Sequence, residues 1–468
     1  MKISFHGAAR TVTGSKHLLH VKPDKKILLD CGMFQGMGRD TVRLNSEWGF
    51  EPTEVDYVIL SHAHIDHVGL LPKLVKDGFN KRIFITPASA DLANILMRDS
   101  ARIQEADIAY INKDRKKEGR ELLEPLYTEE DVYNTVQLFE MVDYNQPFQI
   151  DEDVELLYTD CGHILGSAAV NLKIREGKNM HRLTFSGDVG RYRDLILRSP
   201  QPFPQADYII LESTYGNKLH PLVAGAADDL LQHITKTCIE KKGKLIIPAF
   251  SVGRTQELLY LLNRLDLERR LPELPYYVDS PLSIHATEIV KHHPECFNKR
   301  VETLLRQDDD VFAFKGLSYT RSVEESMALG NKDEPCVIIS ASGMAEAGRV
   351  KHHIAQNIRD RRNTILIVGY CEPQSLGGRL RAGAEDVSIF GKSFHRNAEV
   401  AVMESLSAHG DYDDLCQWLS CQHPQEVKQL FLVHGEYDVQ TEFRDRLIKK
   451  GFKDVTIPAL HEVIGLRD

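Results

Sequence analysis

Short apolar runs, each closed by glycine or a turn residue, fill the first 85 positions. KISFHGA, SKHLLHVK, KKILLDCG and VDYVILSH read as strands, and GLLPKLVKDGF as the helix that follows. From about 88 to 143 the spacing of apolar residues becomes helical, with a basic run from Lys113 to Arg120 that reads as a solvated helix end or as a contact to an acidic polymer. Strands resume with VELLYTDCGH, AAVNLKI and HRLTFSGDVG. From about 208 apolar strands alternate with amphipathic helices (YIILEST, LLQHITKTCIEKK, KLIIPAF, RTQELLYLLNRL, PYYVDS, PCVIISAS, TILIVGY), which predicts a parallel sheet flanked by helices and hence a second α/β domain. After about 385 the opening style returns. The expected division is 1–208, 209–385 and 386–468, with the middle segment a separate domain and no internal repeat.

At 468 residues the chain exceeds one ordinary core, consistent with that division. The hydrophobic share of 42% and charged share of 27% are those of a globular protein, not a disordered one. No secretory core follows Met1 and no apolar span reaches membrane length, so a cytoplasmic location without membrane attachment is the expectation. The eight cysteines lack C-x-x-C spacing and read as reduced, mostly buried residues. A net charge of −10 argues against a surface that coats nucleic acid, but it does not bear on a cleft that holds cations.

Chemistry concentrates in LSHAHIDHVG at 60–69, where His62, His64, Asp66 and His67 follow an apolar strand within six positions. In extended backbone His62 and His64 project to one side and can share an ion; Asp66 and His67, past the bend, can reach a second one nearby. Packing does not offset the cost of burying four such groups, so a metal is the reading that accounts for them. Two ions need more ligands than one loop offers. Three further strand ends carry a ligand type beside glycine: His163 in CGHILGS, Asp188 in FSGDVG and His434 in LFLVHGE. Taken singly, each is equally well a structural histidine or a turn-capping aspartate.

In chain order, H-x-H-x-D-H at 62–67, His163, Asp188 and His434 resemble the metal motifs of the metallo-β-lactamase superfamily, with Asp30 in LLDCG matching its supporting aspartate. The resemblance implies an αββα sandwich and two zinc ions per chain, with manganese or iron not excluded. One ion would be held by His62, His64, His163 and Asp188, and the other by Asp66, His67, His434 and the shared Asp188. LESTYG (211–216), IPAFSVGRTQELL (247–259), VDSP (278–281), ISASGMAEAGRVKHH (339–353), VGYCEPQSLGGRL (368–380) and LSAHGDY (406–412) further resemble the beta-CASP nucleases. That family includes the cleavage subunit of pre-mRNA 3′-end processing, RNase J and compact bacterial RNA endonucleases, and the likeness is greatest to the compact form.

The resemblance implies an inserted α/β beta-CASP domain and metal-assisted hydrolysis of RNA phosphodiesters to 5′-phosphate and 3′-hydroxyl ends, with internal and 5′-end cutting both open. Asp66, Glu212 and His409 are its catalytic candidates, with His409, oriented by Glu212, protonating the leaving 3′ oxygen. The competing readings are a turn-capping Glu212 and a His409 that only supports a ligand. Ser342, Gly343, His352 and His353, in the segment that resembles the family's phosphate-contacting one, are substrate candidates, as are Arg254 and Arg379. An ordinary turn, a wet helix face and solvated arginines are the respective alternatives. RNA is the expected partner, and a homodimer stays open. The rival functions are a small ester or thioester hydrolase and a non-catalytic RNA-binding subunit.

Overall fold

The computed structural model describes residues 1–22, 25–221, 225–369 and 371–466; Tyr370, within the run VGYCEPQSLGGRL, lies outside the described residues. The chain divides into two units. One comprises Met1–Tyr192, Ser199–Leu219 and His409–Asp468, the other Arg193–Arg198 and His220–Ala408.

The first unit contains two seven-stranded sheets. In one, Lys2–Phe5, His17–Lys22 and Lys25–Leu29 run antiparallel, and Tyr57–Ile59, Arg82–Ile85 and Phe139–Met141 continue in parallel. In the other, Val154–Asp160, Ala168–Glu176 and Asn179–Phe185 are antiparallel neighbours, and Tyr208–Glu212 and Gln429–Val433 add in parallel. Period-two alternation sorts the side chains of these last two strands. Tyr208, Ile210, Phe431 and Val433 join Ile3, Phe5, Leu19 and Phe84 in a core between the sheets. Ile209, Leu211, Leu430 and Leu432 instead pack with Leu415 and Trp418 of helix Tyr412–Leu419 and with Phe443 and Leu447 of helix Tyr437–Lys449. Helices Leu71–Lys76, Pro87–Lys117 and Glu129–Val136 pack together, with Pro87–Lys117 against strand Phe139–Met141 of the other sheet. The order helix, sheet, sheet, helix is the expected αββα sandwich.

The second unit is a six-stranded, all-parallel sheet, in the order Leu317–Tyr319, Tyr276–Val278, Cys336–Ser340, Lys244–Pro248, Thr364–Ile367, Glu399–Val402. Its strands are near-continuous apolar runs, as burial on both faces requires. A separate hairpin pairs Asp386–Ile389 with Lys392–His395.

The expected boundaries at 208/209 and 385/386 need correction. Tyr208–Glu212 hydrogen-bonds to Gln429–Val433 and stays in the first unit, while Glu399–Val402 pairs with Thr364–Ile367 and stays in the second. An apolar strand carries the same pattern in either sheet; its partner decides where it belongs, and that partner is distant in sequence.

Candidate metal centre

Four strands of the second sheet of the sandwich run in one direction, and each ends in a candidate: Val154–Asp160 before His163, Asn179–Phe185 before Asp188, Tyr208–Glu212 at Glu212, and Gln429–Val433 before His434. In the facing sheet, Lys25–Leu29 and Tyr57–Ile59 lead to Asp30 and to the His62–His67 motif. That motif is not extended throughout. His64 precedes a short helix, Ile65–Val68, which carries Asp66 and His67, so the bend expected after His64 is a helical turn.

The side chains converge. His62 Nε2 lies 3.1 Å from His64 Nδ1, and His163 Nε2 is 3.2 Å from the same atom. Asp188 Oδ2 is 3.5 Å from His62 Nε2 and 3.4 Å from His163 Nε2; its Oδ1 is 3.4 Å from His67 Nε2 and 3.6 Å from His434 Nε2. His434 Nε2 also lies 3.4 Å from Asp66 Oδ2. One group able to hold an ion is therefore His62, His64, His163 and Asp188, and another is Asp66, His67 and His434, the ligand atoms of each group lying within 4.8 Å of one another.

Most of these separations exceed the 2.7–3.2 Å of good hydrogen bonds. They match the ligand-to-ligand edge of a tetrahedral shell, about 3.3 Å for metal–nitrogen bonds of roughly 2.0–2.1 Å. His67 Nε2 and Asp188 Oδ1 are buried, 3.4 Å apart and without a closer hydrogen-bond partner, a spacing that a cation replacing the His67 proton would complete. An imidazole-rich donor set with one shared carboxylate suits zinc.

Electrostatics point the same way. Burial holds His62 well below the usual histidine range and His64 at about 4, so both are neutral and able to donate a lone pair. For Asp66, burial pushes upward, but His67 and His434 bring the carboxyl down to about 2. Burial opposes charge on His67 too, yet Asp188, Asp30 and Asp66 around it hold its imidazolium well above the ordinary value.

Behind the ligands, Asp30 Oδ2 lies 2.6 Å from His67 Nδ1 and accepts from the Ser61 hydroxyl at 2.8 Å, while its Oδ1 accepts from Ser61 N–H at 2.8 Å. His434 Nδ1 is 3.0 Å from Thr214 Oγ1, and the Thr214 hydroxyl lies 3.1 Å from the His434 carbonyl. Asp30 and His434 both hold left-handed backbone, φ 58° and 51°. Such φ values in residues with side chains concentrate where the surroundings impose them. Gly187 (φ 54°) has the same geometry next to Asp188, and a Cβ there would come within 2.4 Å of Ser61 Cβ.

Glu212 is fully buried, and its Oε1 accepts from Val189 N–H at 2.6 Å and faces His409 Nδ1 at 3.2 Å. His409 Nδ1 is 3.8 Å from Asp188 Oδ2. Burial alone would lower the His409 pKa, but Glu212 and then Asp188 raise it to about 9. Neither Thr214 nor Ser61 carries a signal of its own in the sequence. Both are hydroxyl residues adjoining motif positions, and no spacing rule distinguishes them from turn formers.

The substrate candidates lie in the second unit and do not form one set. His353 is buried, with Nε2 2.5 Å from Asp279 Oδ2, so it braces helix Arg349–Asn357 and the reading of it as a phosphate contact is corrected. Asp279 also accepts from Arg349 at 2.7 Å and Ser326 at 2.5 Å. Arg254 is buried against Glu257 at the start of helix Arg254–Leu267, not solvated. Gly343 packs against Phe250, where a Cβ would meet the ring at 2.6 Å, and the Ser342 hydroxyl bonds within its own loop to the Ala347 carbonyl. Arg379 is half-buried on helix Leu376–Arg381, and His352 faces solvent.

Comparison with known families agrees with this layout. Residues 17–132 match the model of the metallo-beta-lactamase superfamily, 255–380 that of the Beta-Casp domain, and 394–458 that of the Zn-dependent metallo-hydrolase RNA specificity domain. A ribonuclease of Thermus thermophilus is 33% identical over 436 residues, covering 93% of each chain. An RNase J-like protein of Methanocaldococcus jannaschii is 30% identical over 93% of this chain and 92% of its own. The transcription termination factor FttA of Methanosarcina mazei is 31% identical over 96% of this chain and 69% of its own. Among the described residues no helix is long and apolar enough to cross a membrane. With a buried His/Asp centre at the strand ends of an αββα sandwich and relatives aligned along nearly its whole length, the chain belongs to the beta-CASP ribonuclease family of the metallo-β-lactamase superfamily.

Proposed function

We propose that the chain is a zinc-dependent ribonuclease, working in the cytoplasm, that hydrolyses RNA phosphodiesters to 5′-phosphate and 3′-hydroxyl ends. The observation that carries the reading is the Asp188 carboxylate, whose two oxygens face two separate histidine sets. His62, His64, His163 and Asp188 would hold one zinc ion; Asp66, His67, His434 and the other oxygen of Asp188 would hold the second. Ions bound there supply Lewis acidity, which lowers the pKa of a water and neutralises phosphate charge.

The chain's own groups supply the rest. Asp30 and Thr214 fix the tautomers of His67 and His434 so that each presents Nε2 to the centre. Glu212 occupies His409 Nδ1 and keeps the ring charged, so the proton to be donated sits on Nε2 and goes to the 3′ oxygen as the P–O bond breaks. A thioester hydrolase has less need of that acid, because a thiolate leaves unprotonated more readily than a ribose alkoxide.

Purified protein should contain two zinc ions per chain and cut end-labelled RNA, stop on chelation, and leave 5′-phosphates on end-group analysis. RNA that survives intact beside fully metal-loaded protein would remove the ribonuclease reading. Following fragment sizes over time separates internal cutting from stepwise 5′ removal.

A further inference from the structure

Away from the metal ligands, the hairpin Asp386–Ile389/Lys392–His395 of the second unit turns on Phe390 and Gly391, both at positive φ, 52° and 73°. A two-residue turn of that geometry favours Asn or Gly at its first position, because a bulky side chain is strained there. Phe390 nonetheless occupies it and stays 51% exposed, so burial does not offset the strain. Its ring centroid lies 4.5 Å from that of the solvent-facing His352, and Lys351 Nζ is 5.1 Å from the Phe390 centroid. On the hairpin's second strand, the Phe394 ring centroid lies 4.8 Å from the guanidinium of Arg359, which sits just after helix Arg349–Asn357.

The cations around these rings are bound by neutral groups. Lys351 Nζ donates to the Glu346 carbonyl at 3.2 Å, Arg359 to the Ser393 carbonyl at 3.4 Å, and Arg396 to the carbonyls of Ala384, Ala398 and Gly383. Lys392 is exposed on the hairpin. The hairpin's own acid, Asp386, is turned to His395 at 3.1 Å. On a chain of net charge −10, this is a cationic patch with an aromatic ring presented to solvent at its tip.

We infer that the Phe390 hairpin is a docking surface for single-stranded RNA: a base stacks on the Phe390–His352 pair while Lys351, Arg359 and Lys392 contact backbone phosphates. The inference rests on the ribonuclease reading and extends it to a second contact on substrate, built from residues that take no part in the chemistry. Strands that bind without sequence preference combine these two elements, a π face that accepts any base and mobile cations for the phosphates. A base covering Phe390 also gives the strained turn the burial that folding alone does not provide.

The test compares Phe390→Asn, Phe390→Tyr and wild type, using a fluorescein-labelled 20-nucleotide oligouridylate and bis(p-nitrophenyl) phosphate, a phosphodiester with no base to stack. Asn suits the left-handed turn, so Phe390→Asn should keep or raise the melting temperature and keep the zinc content. It should raise KM for the oligouridylate about tenfold, with kcat and turnover of the small diester unchanged; Phe390→Tyr should behave as wild type. An unchanged KM in Phe390→Asn, with wild type cutting the RNA, overturns the docking surface and leaves the ribonuclease reading intact. Wild type that turns over the small diester but not the RNA overturns both.

Discussion

The Thr214 hydroxyl has one proton to give, and the His434 carbonyl lies 3.1 Å away. Its oxygen is then left to accept from His434 Nδ1–H at 3.0 Å, which fixes the tautomer whose Nε2 lone pair faces Asp66 and Asp188. Thr214→Val should weaken binding of the second zinc ion about 10- to 100-fold and leave the first bound. Thr214→Ser should restore it, as read by chelator competition. His409→Ala should keep both ions and slow turnover by about 10²- to 10⁴-fold, the usual contribution of a general acid; full turnover would remove the acid role. The pH dependence has a definite sign. The raised pKa means the donor is charged at neutral pH and is lost as pH rises towards about 9, a limb that bound cations displace downward. Glu212→Gln, by removing the largest stabilising charge, should move that limb further down in a kcat–pH profile.

At the scale of elements, close backbone approach holds the centre together. Cys31 N–H donates to the His67 carbonyl at 2.7 Å and Ser15 N–H to the Asp66 carbonyl at 2.8 Å. A Cβ on Gly32 would lie 1.6 Å from the Asp66 oxygen, so Gly32→Ala must displace the turn that carries Asp66 and His67. The expected loss is about 2 kcal/mol or more, seen as a lower melting temperature together with lower zinc content. The His62–His67 motif was legible in the sequence because its ligands crowd into six positions. His163, Asp188 and His434 were legible only as a set in motif order, since each alone looks like a capped strand end. His353 was misread because helical periodicity does not reveal that Asp279, more than 70 positions earlier, turns it inward. Phe390 carried no sequence signal at all, because its exposure and φ are properties of the folded turn.

For the whole molecule, the parallel sheet was readable from apolar periodicity and the layered sandwich only through the resemblance of its motifs, whereas their seams were readable from neither. Tyr208–Glu212 and Glu399–Val402 are equally apolar-rich strands, and only long-range pairing assigns them to different units. Metal loading acts on the molecule as a whole through its protons. His67 is charged among three carboxylates and must become neutral to bind an ion. Zinc titration of chelated protein near pH 7, run calorimetrically in buffers of different ionisation heat, should release about one proton or more per chain. Heats independent of the buffer would contradict the charge state assigned to His67.

The chain order of the ligands carries a consequence for synthesis. His62, His64, Asp66, His67, His163 and Asp188 precede the second unit, while His409 and His434 follow it. A ribosome that has made everything up to Ala408 has made neither His409 nor His434, and strand Gln429–Val433, which must add alongside Tyr208–Glu212, does not yet exist. On the proposed site, the nascent polypeptide therefore lacks a complete centre until the segment after Ala408 emerges.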